Sequence, residues 1–144
     1  MKIAVIGGGV AGLAAAGSAT GASVVLFEHS DKVGKKIYIT GKGRCNFTNV
    51  CDAETFLTNV VTNAPFLRSA LSKLSPDDAV ALLERNGCKT KTERGRRAFP
   101  QSDKASDVTK ALLRYAQSNG ADIRLDSRLT DIAPDNNGFT VKYV

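Results

Sequence analysis

Hydrophobic and polar positions along this chain change period from segment to segment. Lys2 to Ile6 is a short β-branched apolar run, Val10 to Thr20 is alanine-rich, and Ser23 to Phe27 is a second apolar run ending on Glu28. With Gly7, Gly9 and Gly12 after the first run, the pattern predicts a strand, a tight turn, a helix and a second strand. His29 to Val33 reads as a polar turn, and Ile37 to Thr40, alternating in character, as a short strand.

Further along, Phe56, Leu57, Val60 and Val61 fall on one face of a helix within 52–63. Pro65 opens a second helix with Phe66, Leu67, Ala70, Leu71 and Leu74 directed inward. Ser75-Pro76-Asp77-Asp78 marks a third start: Ser75 caps, Pro76 takes the first helical position, and the acids suit the positive end. Gly87 stops that helix, and the three helices are expected to cover one side of a sheet. Cys88 to Thr92 and Arg97 to Phe99 read as extended pieces of a hairpin. Ser102 opens a helix through about Asn119, with Val108, Leu112, Tyr115 and Ala116 on one face and Gly120 as its stop.

Ala121 to Leu125 then supplies the next parallel strand. Leu129 to Ala133 and Phe139 to Val144 are strands joined through Asn136-Asn137-Gly138, whose Asn-Gly pair favours a type I′ turn. Strand, helix and strand in this order specify an α/β, Rossmann-like fold: a parallel sheet with helices, followed by a C-terminal β-hairpin. An apolar strand at the end of the chain is able to pair with another chain, and the oligomeric state stays open.

At 144 residues the chain can bury a real core and reads as one domain, 1–144. Met1-Lys2, an apolar run and Ala14-Ala15-Ala16 imitate a secretory signal. Three consecutive glycines interrupt it, and Val24 to Phe27 continues as a strand. No stretch is apolar for long enough to span a bilayer, so a soluble, cytoplasmic protein without membrane contact is expected. Cys45, Cys51 and Cys88 show neither C-x-x-C spacing nor a histidine cluster, which points to free thiols and no metal site.

The net charge of +6 raises a nucleic-acid alternative. Arg85, Lys89, Lys91, Arg94, Arg96 and Arg97 face only Glu93 over 85–97, and such a patch could meet phosphates. No aromatic-laced recognition motif accompanies it. A solvated loop, or a positive field that helps hold an anionic cofactor, explains it as well.

The chemistry lies at the first turn. Gly7 permits the sharp exit from the strand, Gly9 a close backbone approach to a pyrophosphate, and Gly12 tight packing of helix on sheet. Free N–H groups at the helix start favour an anion, and Glu28 can accept hydrogen bonds from a ribose diol. Lys35 and Lys36 are placed where the chain could turn back toward the pyrophosphate. Gly41 to Asn49 is a glycine-broken loop crowded with donors.

Gly7-Gly8-Gly9-Val10-Ala11-Gly12, Glu28, Gly34-Lys35-Lys36, Thr40-Gly41-Lys42-Gly43-Arg44-Cys45-Asn46-Phe47-Thr48-Asn49 and Glu93-Arg94-Gly95-Arg96-Arg97-Ala98-Phe99-Pro100-Gln101-Ser102 occur in order. Together they resemble the BaiN-like family of NAD(P)/FAD-dependent oxidoreductases, flavoproteins with two dinucleotide-binding domains. The resemblance implies FAD as the bound dinucleotide and NAD(P)H as electron donor. It implies that Gly7, Gly9, Val10, Ala11 and Gly12 hold the diphosphate and Glu28 the adenosine ribose. Lys35 and Lys36 stand at the family's basic pair. By the same resemblance Gly41, Lys42, Gly43, Arg44, Cys45 and Asn46 would line the path toward the flavin ring, and Leu129 looks like the position whose backbone contacts adenine.

Two positions depart from the family: Lys42 replaces a usual glycine, and Lys35 a usual arginine, losing a bidentate fork for phosphate. Family members are also several times longer. The resemblance therefore implies an N-terminal portion of a larger flavoprotein, holding the ADP half of FAD better than the flavin half. In the intact enzyme the cofactor does the chemistry, passing hydride to a small organic acceptor, and no side chain here is assigned a catalytic role. His29 reads as a loop residue near the adenosine. Cys45, between Arg44 and Asn46, is a redox candidate beside the simpler reading of a packed residue. A non-catalytic nucleotide-binding fragment remains an alternative to the oxidoreductase.

Overall fold

The computed structural model describes residues 1–144. In chain order the elements are β1 (Lys2–Ile6), α1 (Val10–Ser18), β2 (Ser23–Phe27), β3 (Thr48–Asn49), α2 (Ala53–Thr58) and α3 (Arg68–Leu71). They continue with α4 (Pro76–Arg85), β4 (Thr90–Glu93), β5 (Arg97–Pro100), α5 (Ala105–Ser118), β6 (Asp122–Arg124), β7 (Leu129–Asp135) and β8 (Gly138–Tyr143). They belong to two compact units, one formed by Met1–Ile37 with Leu112–Val144 and the other by Tyr38–Ala111.

In the first unit β1, β2 and β6 make the expected parallel sheet, in the order β1-β2-β6. Lys2 lies opposite Ser23 and Ile6 opposite Phe27, while Val25 faces Asp122 and Phe27 faces Arg124. α1 packs on β1 and β2, burying Leu13 and Ala16 completely. Small residues suit this helix because its role is close approach to the sheet rather than bulk.

The terminal hairpin, β7 with β8, is a separate two-stranded sheet. Its turn differs from the expected type I′. Asp135 pairs with Gly138, so Asn136 and Asn137 occupy the turn; neither has positive φ, and Gly138 takes φ +149°. A type I′ turn needs positive φ at both central residues, so the Asn-Gly signal is displaced by one position. Tyr143 stacks at a tilt on Phe27, 4.8 Å between ring centres, and its hydroxyl accepts from Arg124 Nη1 at 2.7 Å. Ala4, Ile6, Val25 and Phe27 of the sheet line an open groove of about 970 Å³ together with Ile132, Phe139 and Val141 of the hairpin.

In the second unit β5 is the central strand of an antiparallel sheet ordered β3-β5-β4, with Thr48 opposite Ala98 and Lys91 opposite Phe99. α4 begins as its sequence demands. Ser75 Oγ accepts from Asp78 N–H at 3.1 Å, and the Asp78 carboxylate accepts the Ser75 N–H at 2.9 Å, a complete capping box. α4 packs on β3 and β4, so within the helical excursion it is this helix that covers the antiparallel sheet of its own unit.

Two expectations fail here. The run 37–40 is not a strand: Lys35–Gly43 is a chain of tight turns, kinked where Gly41 and Lys42 adopt φ +53° and +56°. The helix sought from Pro65 is only a single 3₁₀ turn, Ala64–Leu67, followed by the four residues of α3. Left-handed Asn63 breaks the chain before it. Val61 (99% exposed), Phe66 (77%) and Leu74 (44%) therefore point outward instead of into a core. The buried apolar set of this unit includes Cys45, Leu57, Leu82, Leu83, Cys88, Ala98, Phe99, Ala105, Val108 and Ala111.

Candidate functional site

The glycine turn between β1 and α1 is built from backbone. Gly7 takes φ +97°, open only to glycine at low cost, and its N–H donates to the Phe27 carbonyl at 2.8 Å. A side chain at Gly12 would bring its Cβ to 1.8 Å from the Gly7 oxygen. Gly9 is the opposite case: it is the extended cap of α1, and a Cβ there meets nothing within 4 Å. No side chain caps this helix, Val10 is half exposed, and Ala11 is exposed. Uncapped N–H groups at the mouth of a helix are the arrangement that holds a phosphate.

Gly8, which the spacing of the fingerprint passes over, is fixed on both sides. Its N–H donates to Glu28 Oε2 at 2.7 Å and its carbonyl accepts from Gly34 N–H at 2.8 Å. Glu28 Oε1 accepts the Ser30 N–H at 2.8 Å and lies 3.0 Å from His29 Nδ1. Burial alone would raise the Glu28 pKa, but the backbone N–H groups of Gly8 and Ser30 outweigh it and hold it below the ordinary value. His29 itself is largely exposed, its Nε2 3.2 Å from Ser30 Oγ.

Of the basic pair, Lys35 is committed to Asp31 at 2.9 Å, whose pKa that hydrogen bond lowers; Lys36 is exposed. Leu129 opens β7 and lines a cavity of about 360 Å³ with Ile6, Gly7, Phe27, His29, Ser127 and Arg128. The structure thus places Leu129 and Gly7 on the walls of one cavity.

The remaining site residues belong to the second unit. Gly41, Lys42, Gly43 and Cys45 all have positive φ, the last at +62°, so this loop is a tight knot rather than a flexible connector. Arg44 is held by side chains distant in sequence. Its Nε donates to Asp103 Oδ1 at 2.8 Å and its Nη2 to the same oxygen at 2.6 Å. Nη2 also donates to Glu93 Oε1, and the guanidinium lies 4.4 Å from the centre of the Phe99 ring.

Lys91 Nζ completes the group, 2.6 Å from Asp103 Oδ2 and 3.3 Å from Glu93 Oε1. The hydrogen bonds to Glu93 and Asp103 raise the Arg44 pKa. Those from Arg44 and Lys91 lower both carboxyls. Two cations and two anions thus neutralise one another. Arg94, Arg96 and Arg97, exposed at the tip of the β4–β5 hairpin, form no ion pair; Arg97 Nε donates to the Arg94 carbonyl at 3.0 Å.

Cys45 is buried, and burial pushes its thiol pKa up, against a hydrogen bond with Thr40. An activated thiolate needs the reverse. Asn46 Nδ2 donates to the carbonyls of Thr48 and Ala98, each at 2.9 Å, which pins the loop to β5. No group of three His, Cys, Asp or Glu could hold a metal, and no helix is long and apolar enough to cross a membrane. Asp103 and Ser30 carry no signal of their own in the sequence, and Lys91, Glu93, Phe99 and Gly34 fall within segments read as a basic patch or a motif, with nothing to tie them to Arg44 or to the turn. Most of their partners lie far away in sequence, except for Ser30, two residues from Glu28, and Lys91, two from Glu93.

A parallel sheet with a glycine-built turn at its carboxyl end and an acid closing the second strand defines a Rossmann-like dinucleotide-binding fold. The chain belongs to the HI0933-like protein Rossmann domain family, which it matches over residues 1–144. It is 32% identical over 141 residues to the ribosomal RNA dihydrouridine synthase of Escherichia coli strain K12, covering 95% of this chain and 34% of that protein. It is also 32% identical over 146 residues to the 3-dehydro-bile acid delta(4,6)-reductase of Clostridium scindens, covering 98% of this chain and 35% of that one. The chain spans about a third of the length of these curated relatives.

Among solved structures, the 3-ketosteroid-delta4-(5alpha)-dehydrogenase from Rhodococcus jostii RHA1 superposes with a TM-score of 0.67 at 16% identity, over 96% of this chain and 41% of that one. A flavocytochrome c3 fumarate reductase gives 0.60 at 19% identity, over 97% and 31%. These likenesses establish the fold.

Proposed function

We propose that this chain is the FAD-binding portion of a cytoplasmic flavin-dependent oxidoreductase, with residues 1–144 as one part of a longer dinucleotide-binding protein. The open position at Gly9 carries this reading: the helix mouth is uncapped, and nothing of the protein stands where a Cβ would project. The backbone N–H groups of Gly9, Val10 and Ala11 would bind the diphosphate. Gly7 and Gly12 shape the turn, and Glu28 and Leu129 would meet the adenosine. Lys36 adds positive charge, and Lys35 does so once released from Asp31. Gly41 to Asn46 would border the flavin half, with Arg44 ordering that loop. Bound FAD supplies hydride transfer between NAD(P)H and a small organic acceptor. The terminal strand β8 would pair with another chain through its unpaired edge.

The test is purification with FAD. Protein that retains flavin absorption, and a Gly9→Val variant that folds but is colourless, would uphold the reading. Wild-type protein that binds ADP but no flavin would favour a non-catalytic nucleotide-binding fragment.

A second reading concerns the acceptor. Two curated relatives are named ribosomal RNA dihydrouridine synthases, and Arg94, Arg96 and Arg97 are not neutralised by carboxylates. An RNA acceptor, its phosphates met by this hairpin tip, accounts for both. RNA affinity should then fall steeply with salt, and replacing the three arginines by alanine should flatten that dependence. Unchanged binding in the triple variant would remove this reading and leave the flavin one standing.

A further inference from the structure

Glu28 is positioned to do more than greet a ribose. A carboxylate offers about four lone-pair directions. Here Oε2 accepts the Gly8 N–H at 2.7 Å and Oε1 accepts the Ser30 N–H at 2.8 Å, while His29 Nδ1 stands 3.0 Å from Oε1. Most of the acceptor capacity is spent on the protein itself, and the residue is only 7% exposed.

Gly8 is held equally firmly from its other side. Its carbonyl takes the Gly34 N–H at 2.8 Å, and a side chain at Gly8 would place its Cβ 2.7 Å from Val33 Cγ1 and 3.1 Å from Glu28 Cβ. The chain before it, Gly7 at φ +97°, has no side chain to restrict its rotation. The direction of the N–H groups that follow Gly8 therefore depends on tethers: the Gly34 N–H holds the Gly8 carbonyl, and Glu28, from the end of β2, is the one side chain that holds its N–H. Hydrogen bonds to an ionised acceptor are among the stronger ones available.

We infer that Glu28 is a positioning residue for the anion-binding turn, acting through the Gly8 N–H on whatever phosphate the turn holds. This rests on the nucleotide reading of the same turn. It extends that reading in one respect: Glu28 supports ligands that have no ribose diol at all. A residue serving only the diol would distinguish ligands with and without it, whereas one that shapes the turn would not. Glu28→Gln is the appropriate variant, since it keeps the shape but sets an amide NH₂ against one of the two donating N–H groups.

The experiment is calorimetric titration of wild-type and Glu28→Gln protein with ADP, 2′,3′-dideoxy-ADP and pyrophosphate. Loss of a charge-assisted hydrogen bond predicts that all three weaken by a similar factor, roughly ten- to hundredfold. Weakening of ADP alone, with dideoxy-ADP and pyrophosphate bound as before, overturns the proposal and leaves the nucleotide reading intact. Wild-type protein that binds none of the three overturns both.

A second measurement needs neither the variant nor a ligand. In wild-type protein the Gly8 amide resonance, whose N–H donates to Glu28 Oε2 at 2.7 Å, should shift with the titration of one carboxylate in the acid range. A Gly8 amide indifferent to acid pH overturns the proposal whether or not a nucleotide binds.

Discussion

The turn at Gly7–Gly12 and the loop at Gly41–Asn46 both carry family motifs, but they are made in opposite ways. The first is backbone with its charge tucked behind it: Glu28 is buried and faces Gly8, and the mouth beyond Gly9 is open. The second is organised by a side chain, Arg44, whose positive charge is consumed by Glu93 and Asp103. A basic residue in a motif is thus not the same as a basic site, and here an anion would find more available charge in the peptide groups of a neutral turn.

The largest expected effect separates two glycines of the one fingerprint. Gly12→Ala sets a methyl 1.8 Å from the Gly7 oxygen, and the forced shift of helix from sheet should destabilise the protein by about 3 kcal/mol in denaturant unfolding. Gly9→Val should leave the unfolding midpoint nearly unchanged, because a Cβ there meets nothing within 4 Å, yet abolish nucleotide retention. Equal stability losses in both variants would break the contrast.

Next comes pH. The Glu28 pKa in the folded protein lies below its ordinary 4.5, so its contribution is present above that value and lost as the pH falls through the lowered one. Stability measured from pH 7 down to pH 3 should decline less steeply in Glu28→Gln than in wild type. Parallel curves would show that the carboxylate does not anchor the turn.

Arg44→Ala should be milder still. It leaves Glu93 and Asp103 to Lys91 alone and uncovers the Phe99 ring, lowering the melting temperature by an amount that shrinks at high salt. A salt-independent loss would locate the effect in the stacking. Smallest is Lys42→Gly. Lys42 sits at φ +56°, where a side chain is strained, and the gain offset by glycine's extra backbone entropy should be roughly 0.5 kcal/mol.

The sequence makes local relations readable and distant ones not. β1, β2 and the cap of α4 lie where run length, glycine and Ser-Pro-Asp-Asp place them, because each is decided within a few residues. The excursion after Asn59 misleads since apolar spacing continues through a stretch that Asn63 and Pro65 fragment, leaving Phe66 in solvent. Arg44 reads as an available donor because its acceptors are 49 and 59 residues away. The fingerprint spacing marks Gly7, Gly9 and Gly12 but gives no hint that Gly8 is the residue to which the acid is tied.

That tie spans 20 residues, which has a bearing on the order of events as the chain is made. A nascent segment ending within α1 already contains every glycine of the fingerprint but lacks the carboxylate to which the Gly8 N–H donates. On the positioning role inferred for Glu28, the turn would mature with β2 and the sheet rather than before them.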